Sequence, residues 1–262
     1  TVIRTHNIEY QRFRSLGKWW WPLLRRYERR AFRNADYILF ITPEEKAFAI
    51  REWKIDPKKC IDLPFGIPLK EMPADRADQV RVIRERYGLA ADTRILLFNG
   101  MLGYQPNLDA LQVILDSINP LLQKSNIDYR IIICGKDLPA SFNNLAAWRD
   151  KGIIYAGFVA DIESYFKAAD IFLNPVQSGG GVKTKMVEAI GYGATVVSTT
   201  TGAQGILREA CGEKLIVVND NDWTAFASAV IDLAQKAIPA TPATYYQQYY
   251  WGNIVKVVTT LS

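Results

Sequence analysis

Residues 170–193 read DIFLNPVQSGGGVKTKMVEAIGYG and gather the chain's best candidates for chemistry. Three consecutive glycines, Gly179, Gly180 and Gly181, follow an apolar run that ends in Asn174-Pro175, and Lys183, Lys185 and Glu188 come next. Glycines let backbone N–H groups approach an anion closely, and the start of a helix adds a favourable dipole. Lys183 and Lys185 would neutralise phosphate charge beside that turn. Glu188, about two turns into the expected helix, could accept hydrogen bonds from sugar hydroxyls. The implied ligand has a diphosphate and a ribose, as a nucleotide does. A Walker-type P-loop is excluded by spelling, because Val182 separates the last glycine from Lys183-Thr184. The dinucleotide fingerprint G-x-G-x-x-G is absent from this loop as well.

Other chemistries are narrowed by what the chain lacks. A single histidine, His6, rules out a three-histidine zinc site and HExxH, and a Ser-His-Asp triad would have to use it. His6 ends an apolar strand, and open α/β sheets bind ligands beyond the carboxyl ends of their strands. Cys60, Cys134 and Cys211 are scattered without a CxxC pair, which argues against zinc or a disulfide framework and fits a reducing cytoplasm. Asp220-Asn221-Asp222 mimics a metal-binding Asp-x-Asp, but Asp222 stands before the helical run WTAFASAVIDLAQK and reads as an N-cap. With 49% hydrophobic and 23% charged residues the chain can build a substantial core. A net charge of +5 suits anionic ligands or an anionic membrane surface more than nucleic acid. No apolar run reaches membrane-spanning length.

The elements that must position these residues divide the chain. From residue 93 onward, apolar runs at 94–98, 129–134, 152–157, 170–175, 194–199 and 214–219 alternate with helical stretches. One such stretch, 107–122, carries Leu108, Leu111, Leu115, Ile118 and Leu122 as a single stripe. This pattern predicts a doubly wound parallel sheet over 93–240, the lobe that carries the glycine loop. Residues 1–72 read strand, basic aromatic helix (about 16–33), strand (35–42), helix (43–53), strand (60–64), which is half of a second Rossmann-like lobe. The polar run 73–92 reads as a linker, and 241–262 as a closing helix that returns to the first lobe. The chain opens inside a strand, so the native polypeptide is expected to extend upstream by about half a lobe. The segment GKWWWPLLRRYERRAFR (17–33) mixes three tryptophans with six basic residues. It suits either a membrane headgroup region or a helix docked on its own lobe.

These residues resemble the donor-site signature of the GT-B glycosyltransferases, in particular retaining family 4 (glycosyl transferases group 1). The likeness rests on Pro175, Gly179, Gly181, Lys185, Glu188-Ala189, Gly191 and Gly193, then ATVVST (194–199) and Gly202-Ala203-Gln204-Gly205. It extends to FNGMLGYQPN (98–107), HNIEYQRF (6–13) and YYWGNIVKVV (249–258), in the family's order. The resemblance implies transfer of a sugar, with retention, from a UDP- or GDP-sugar to a hydroxyl of a glycan or lipid-linked acceptor in surface polysaccharide synthesis. No metal or organic cofactor and no nucleic acid partner is expected. It further implies that Gly179, Gly180 and Gly181 face the diphosphate together with Gly100, that Lys185 or Lys183 meets developing charge, and that Glu188 holds the ribose. Gly157 and Phe158 would lie near the base, and His6 would face the acceptor. Gly180 stands where the family pattern has its first glutamate, so the role tied to that carboxylate does not carry over. The expected location is the cytoplasm, on the inner face of the membrane. This chain alone is expected to bind donor and to transfer poorly. A GT-B epimerase or phosphorylase, or a non-catalytic nucleotide-sugar-binding module, would share the same cradle.

Overall fold

The computed structural model describes residues 1–15, 17–179 and 181–259. Two parallel sheets organise them. Strands β1 (Val2–Arg4), β2 (Tyr37–Phe40) and β3 (Cys60–Asp62) form a small sheet in the order β1-β2-β3. Strands β4 (Arg94–Asn99), β5 (Tyr129–Cys134), β6 (Ile153–Gly157), β7 (Ile171–Asn174), β8 (Thr195–Thr199) and β9 (Leu215–Val218) form a large one, ordered β6-β5-β4-β7-β8-β9. Both faces of the large sheet are buried. Along β4, Ile95 and Leu97 enter one core while Leu96 and Phe98 enter the other, so the strand reads as a continuous apolar run.

The strand order reverses direction between β4 and β7. In a doubly wound sheet the loops after the strands on either side of that point diverge and leave a crevice at their carboxyl ends. Here those ends are Asn99-Gly100 and Asn174-Pro175. Helices α4 (Arg76–Tyr87), α7 (Ile162–Ala168), α8 (Thr184–Gly191), α9 (Arg208–Cys211) and α11 (Ala243–Tyr249) lie with one core. Helices α5 (Gln105–Val113), α6 (Asn119–Leu122) and α10 (Trp223–Ala234) lie with the other. In the small sheet, Ile38 and Phe40 of β2 pack under α1 (Glu9–Ser15), α2 (Trp21–Asn34) and α3 (Pro43–Trp53). Leu39 points to the opposite face, where Leu63 joins Trp251 and Ile254 of α12 (Trp251–Thr259).

Three local readings change. The basic aromatic helix starts later than the expected residue 16: α2 begins at Trp21 with Pro22 in its first turn, and a separate helix, α1, ends before Gly17. Proline lacks an N–H and fits the first turn, so it sets the start there. The stripe over 107–122 is interrupted by a π-turn at Ile114–Ile118, just before Pro120. Pro120 cannot donate to the carbonyl one turn back, and a wider turn absorbs the lost bond. The polar run 73–92 carries helix α4, whose Ile83 is fully buried. Arg76 donates to Ala169 O at 3.1 Å and Lys167 pairs with Asp75 at 2.9 Å, so α4 is fastened to the large sheet's layer. Asp222 caps α10 by accepting from Ala225 N at 2.9 Å, and Asp220 accepts from Thr201 N at 3.0 Å, so both carboxylates are engaged in local structure.

Candidate functional site

The crevice at the β4/β7 switch point is built around Lys185. Its amino group is partly buried and donates to Asn99 O at 2.9 Å and to Asn107 Oδ1 at 3.0 Å. The Phe98 ring lies 5.1 Å from it. Asn107, near the start of α5, in turn donates to Met101 O at 3.0 Å. Asn107 fits there because Gly100 has no side chain: a Cβ at residue 100 would come within 2.8 Å of the Asn107 amide. Burial pushes Lys185 down to about 7, and Lys183 adds to the shift.

The glycine loop runs beside it. Gly181 adopts φ +75°, which a residue with a side chain rarely adopts. A Cβ there would also come within 2.5 Å of Asn7 Oδ1, beyond the end of β1. Gly181 therefore abuts the small-sheet lobe. Lys183 donates to Gly179 O at 2.8 Å and to Gly181 O at 3.1 Å, so this ammonium holds the loop's shape from within. Burial pushes Lys183 down as well. Gly180, expected to face the diphosphate, lies outside the described residues.

Next to this crevice is a hollow of about 310 Å³ lined by Asn99, Gly100, Met101, Cys134, Gly135, Lys136, Phe158, Val159 and Ile162. Phe158 stands at it with 73% of its surface exposed. Gly157, at the end of β6, has φ +67° and turns the chain into that rim. Glu188, one turn beyond Lys185 on α8, faces Glu163 on α7, one residue along from Ile162. Burial and then the Glu163 carboxylate push Glu188 up from its ordinary range. Among the described residues no side chain or backbone group hydrogen-bonds its carboxylate, which leaves it available to hydroxyl donors.

A family model described as glycosyl transferases group 1 matches residues 93–236. The chain belongs to that family. Solved glycosyltransferases have the same architecture. WaaG, a glycosyltransferase involved in lipopolysaccharide biosynthesis, superposes with a TM-score of 0.69 at 16% identity, over 100% of this chain and 74% of that one. Anabaena Alr3699/HepE in complex with UDP gives 0.70 at 14% identity, over 99% and 71%. At such identities the likeness establishes the fold, the GT-B architecture of these proteins. A curated relative, an uncharacterized 44.6 kDa protein in the cps region of Klebsiella pneumoniae, is 28% identical over 170 residues, 59% of this chain and 42% of that protein. The chain thus matches less than half the length of that relative.

In this group 1 chain the large lobe brings together Lys185, Lys183, Glu188, Gly100, Gly157, Phe158, Gly179 and Gly181. His6 is exposed at the end of β1, and its carbonyl lies near where a Gly181 side chain would begin. Three polar residues at the site were not picked out from the sequence. Asn107 holds Lys185. Asn7 presses on the glycine loop with a buried Oδ1 that has no hydrogen-bond partner among the described residues. Glu45, at the start of α3, has a buried Oε2 in the same condition. Burial pushes Glu45 up to about 7, although the Ile8 N–H and the Thr5 hydroxyl pull it down. Asn107 sits inside the Pro-Asn helix start that carried part of the resemblance, which was the available signal.

Proposed function

We propose that this chain carries the donor site of a retaining glycosyltransferase. It would move a sugar from a nucleoside diphosphate sugar to a hydroxyl acceptor in surface polysaccharide or lipid-linked glycan synthesis. The observation that carries the reading is the partly buried Lys185 amino group at the switch point, beside the α8 N-terminus and within one helical turn of Glu188. An ammonium and free helix N–H groups meet the charge that builds on the diphosphate as the bond to the sugar breaks. Glu188 would accept the ribose hydroxyls, and the 310 Å³ hollow would take the base at Gly157-Phe158. His6 would face the acceptor from the other lobe. Retention rests on the family resemblance.

Two comparisons support the substrate class. HepE has been crystallised with UDP and with UDP-glucose. The Klebsiella relative lies in a cps region, and WaaG acts in lipopolysaccharide biosynthesis. A membrane-borne acceptor is supported by α2 and the turn before it. Trp19, Leu23 and Tyr27 are 83%, 61% and 72% exposed, with exposed Arg26, Arg29 and Arg30 beside them. The protein would then work at the cytoplasmic surface of a membrane.

Thermal shift against UDP-, GDP-, ADP- and dTDP-sugars tests the donor reading. A sugar nucleotide at 100 times its Kd should stabilise the fold by about 2.7 kcal/mol. No shift with any of them would overturn the reading. Product analysis with and without an alcohol acceptor then separates transfer from epimerisation.

A further inference from the structure

Lys185 is an unusual place for a permanent charge. Among the described residues no carboxylate meets it: the two acceptors on its Nζ are the neutral Asn99 carbonyl and the neutral Asn107 amide. The charged group that acts on it is Lys183, which repels it. The titratable side chains on the surrounding elements are directed elsewhere. On α8, Glu188 faces Glu163. On α5, Asp109 accepts from Gln105 at 2.6 Å, and the Tyr104 hydroxyl lies against Gly179. Beyond β5, Asp137 packs at Gly103, and Lys136 lines the hollow. An amine so enclosed resists carrying a charge until an anion arrives.

We propose that Lys185 waits largely as a neutral amine, oriented by Asn107 across Gly100, and takes up a proton from solvent when the donor's diphosphate enters. The step rests on the donor-site reading above. One N–H bond forms on Nζ at the expense of a solvent or buffer proton, and the resulting ammonium pairs with the diphosphate. Asn107 is a positioning residue here. Its Oδ1 and the Asn99 carbonyl fix two of the ammonium's three N–H directions, leaving the third for the ligand. Donor affinity then falls as pH rises above neutrality, because each bound donor must bring a proton with it.

Calorimetric titration with UDP-glucose and with GDP-mannose, at pH 8 in buffers of differing ionisation enthalpy, counts that proton. The sugar nucleotide's own diphosphate does not titrate there. An amine that titrates at about 7 should take up about 0.9 of a proton at pH 8, and affinity should fall close to tenfold per further pH unit. Lys185→Met should abolish the uptake and weaken binding. Asn107→Asp should also abolish it, because a carboxylate at that position keeps Lys185 charged beforehand, while binding persists. Donor binding without proton uptake in the unsubstituted protein overturns the inference and leaves the donor reading standing. Uptake that survives in Lys185→Met overturns the assignment to Lys185. If neither sugar nucleotide binds and no ADP- or dTDP-sugar shifts the unfolding temperature, the donor reading falls and takes this inference with it.

Discussion

Glu188 and Lys185 lie one turn apart on α8 yet are tuned in opposite directions by the same burial. Glu188 is pushed up and Lys185 down, so burial disfavours the charged form of each. For Glu188 the acidic side matters. Below its raised pKa the carboxyl is protonated and offers fewer acceptor sites to ribose hydroxyls. Glu188→Ala should weaken nucleotide binding by roughly 1.5–3 kcal/mol, the range for hydrogen bonds to a charged group. The helix should persist, since alanine is a strong helix former. Equal affinity in a folded variant, measured by calorimetry, would remove Glu188 from the site. Both residues were visible in the sequence because a lysine and a glutamate after three glycines suggest a diphosphate and a sugar. Asn107 and Asn7 were not. Asn107 meets Lys185 across 78 residues of chain, and Asn7 meets Gly181 from the other lobe. Each amide lies in a segment that carried part of the resemblance, but the long-range contact it makes leaves no local pattern to read. Two of the glycines also do a second job, beside the diphosphate role expected of them. Gly181 makes room for Asn7, and Gly100 makes room for Asn107.

At the scale of elements, the six strands of the large sheet were legible because both of their faces are buried. Their apolar runs needed no alternation to stand out. Boundaries set by proline were less legible. Pro22 sets a late start for α2 inside the 16–33 stretch, and Pro120 inserts the π-turn into the 107–122 stripe, and the spacing of apolar residues shows neither boundary. The three adjacent tryptophans divide in the same way. Trp20 packs on Phe13 with ring centroids 4.6 Å apart. Trp21 stacks on Tyr10 at 6.0 Å and receives Arg14 at 5.0 Å. Those two dock α2 onto α1, and Trp19 alone of the three stands out to solvent. If this face meets a membrane, the chain should co-sediment with anionic vesicles, less so as salt is added. Trp19→Ala with Leu23→Ala and Tyr27→Ala should lose that binding without loss of fold. Equal recovery in the supernatant with and without anionic lipid would leave α2 as a docked helix and nothing more. Replacing Trp20 or Trp21 would be a poor test, because both belong to the lobe's own packing.

Over the whole molecule, the same burial makes stability depend on pH in two opposed ways. Lys214 is fully buried and donates to Gly193 O at 2.6 Å and Pro239 O at 2.9 Å, which ties the start of β9 to the turns before β8 and α11. Burial, with Arg76 adding, pushes it down to about 7 from an ordinary 10.5, as burial does for Lys185. Between those values the folded chain holds fewer protons than the unfolded one, so unfolding free energy rises with pH across that window. Glu45 behaves the other way. Its folded value of about 7 lies above the ordinary 4.5, so the folded chain holds an extra proton between them and stability falls as pH rises toward neutrality. These three groups together predict a shallow stability minimum near pH 7, with gains on either side. Urea unfolding at pH 5.5, 7 and 8.5 would read it. Lys214→Met is the sharper arm. It removes one lysine contribution, leaving those of Lys185 and Lys183, so the rise in stability from pH 7 to 8.5 should shrink relative to the parent chain. It also strands two carbonyls, so its absolute stability is the less informative number. A rise as steep in the Met variant as in the parent would mean that Lys214 is charged in the fold, with its two carbonyl partners enough to hold a buried ammonium.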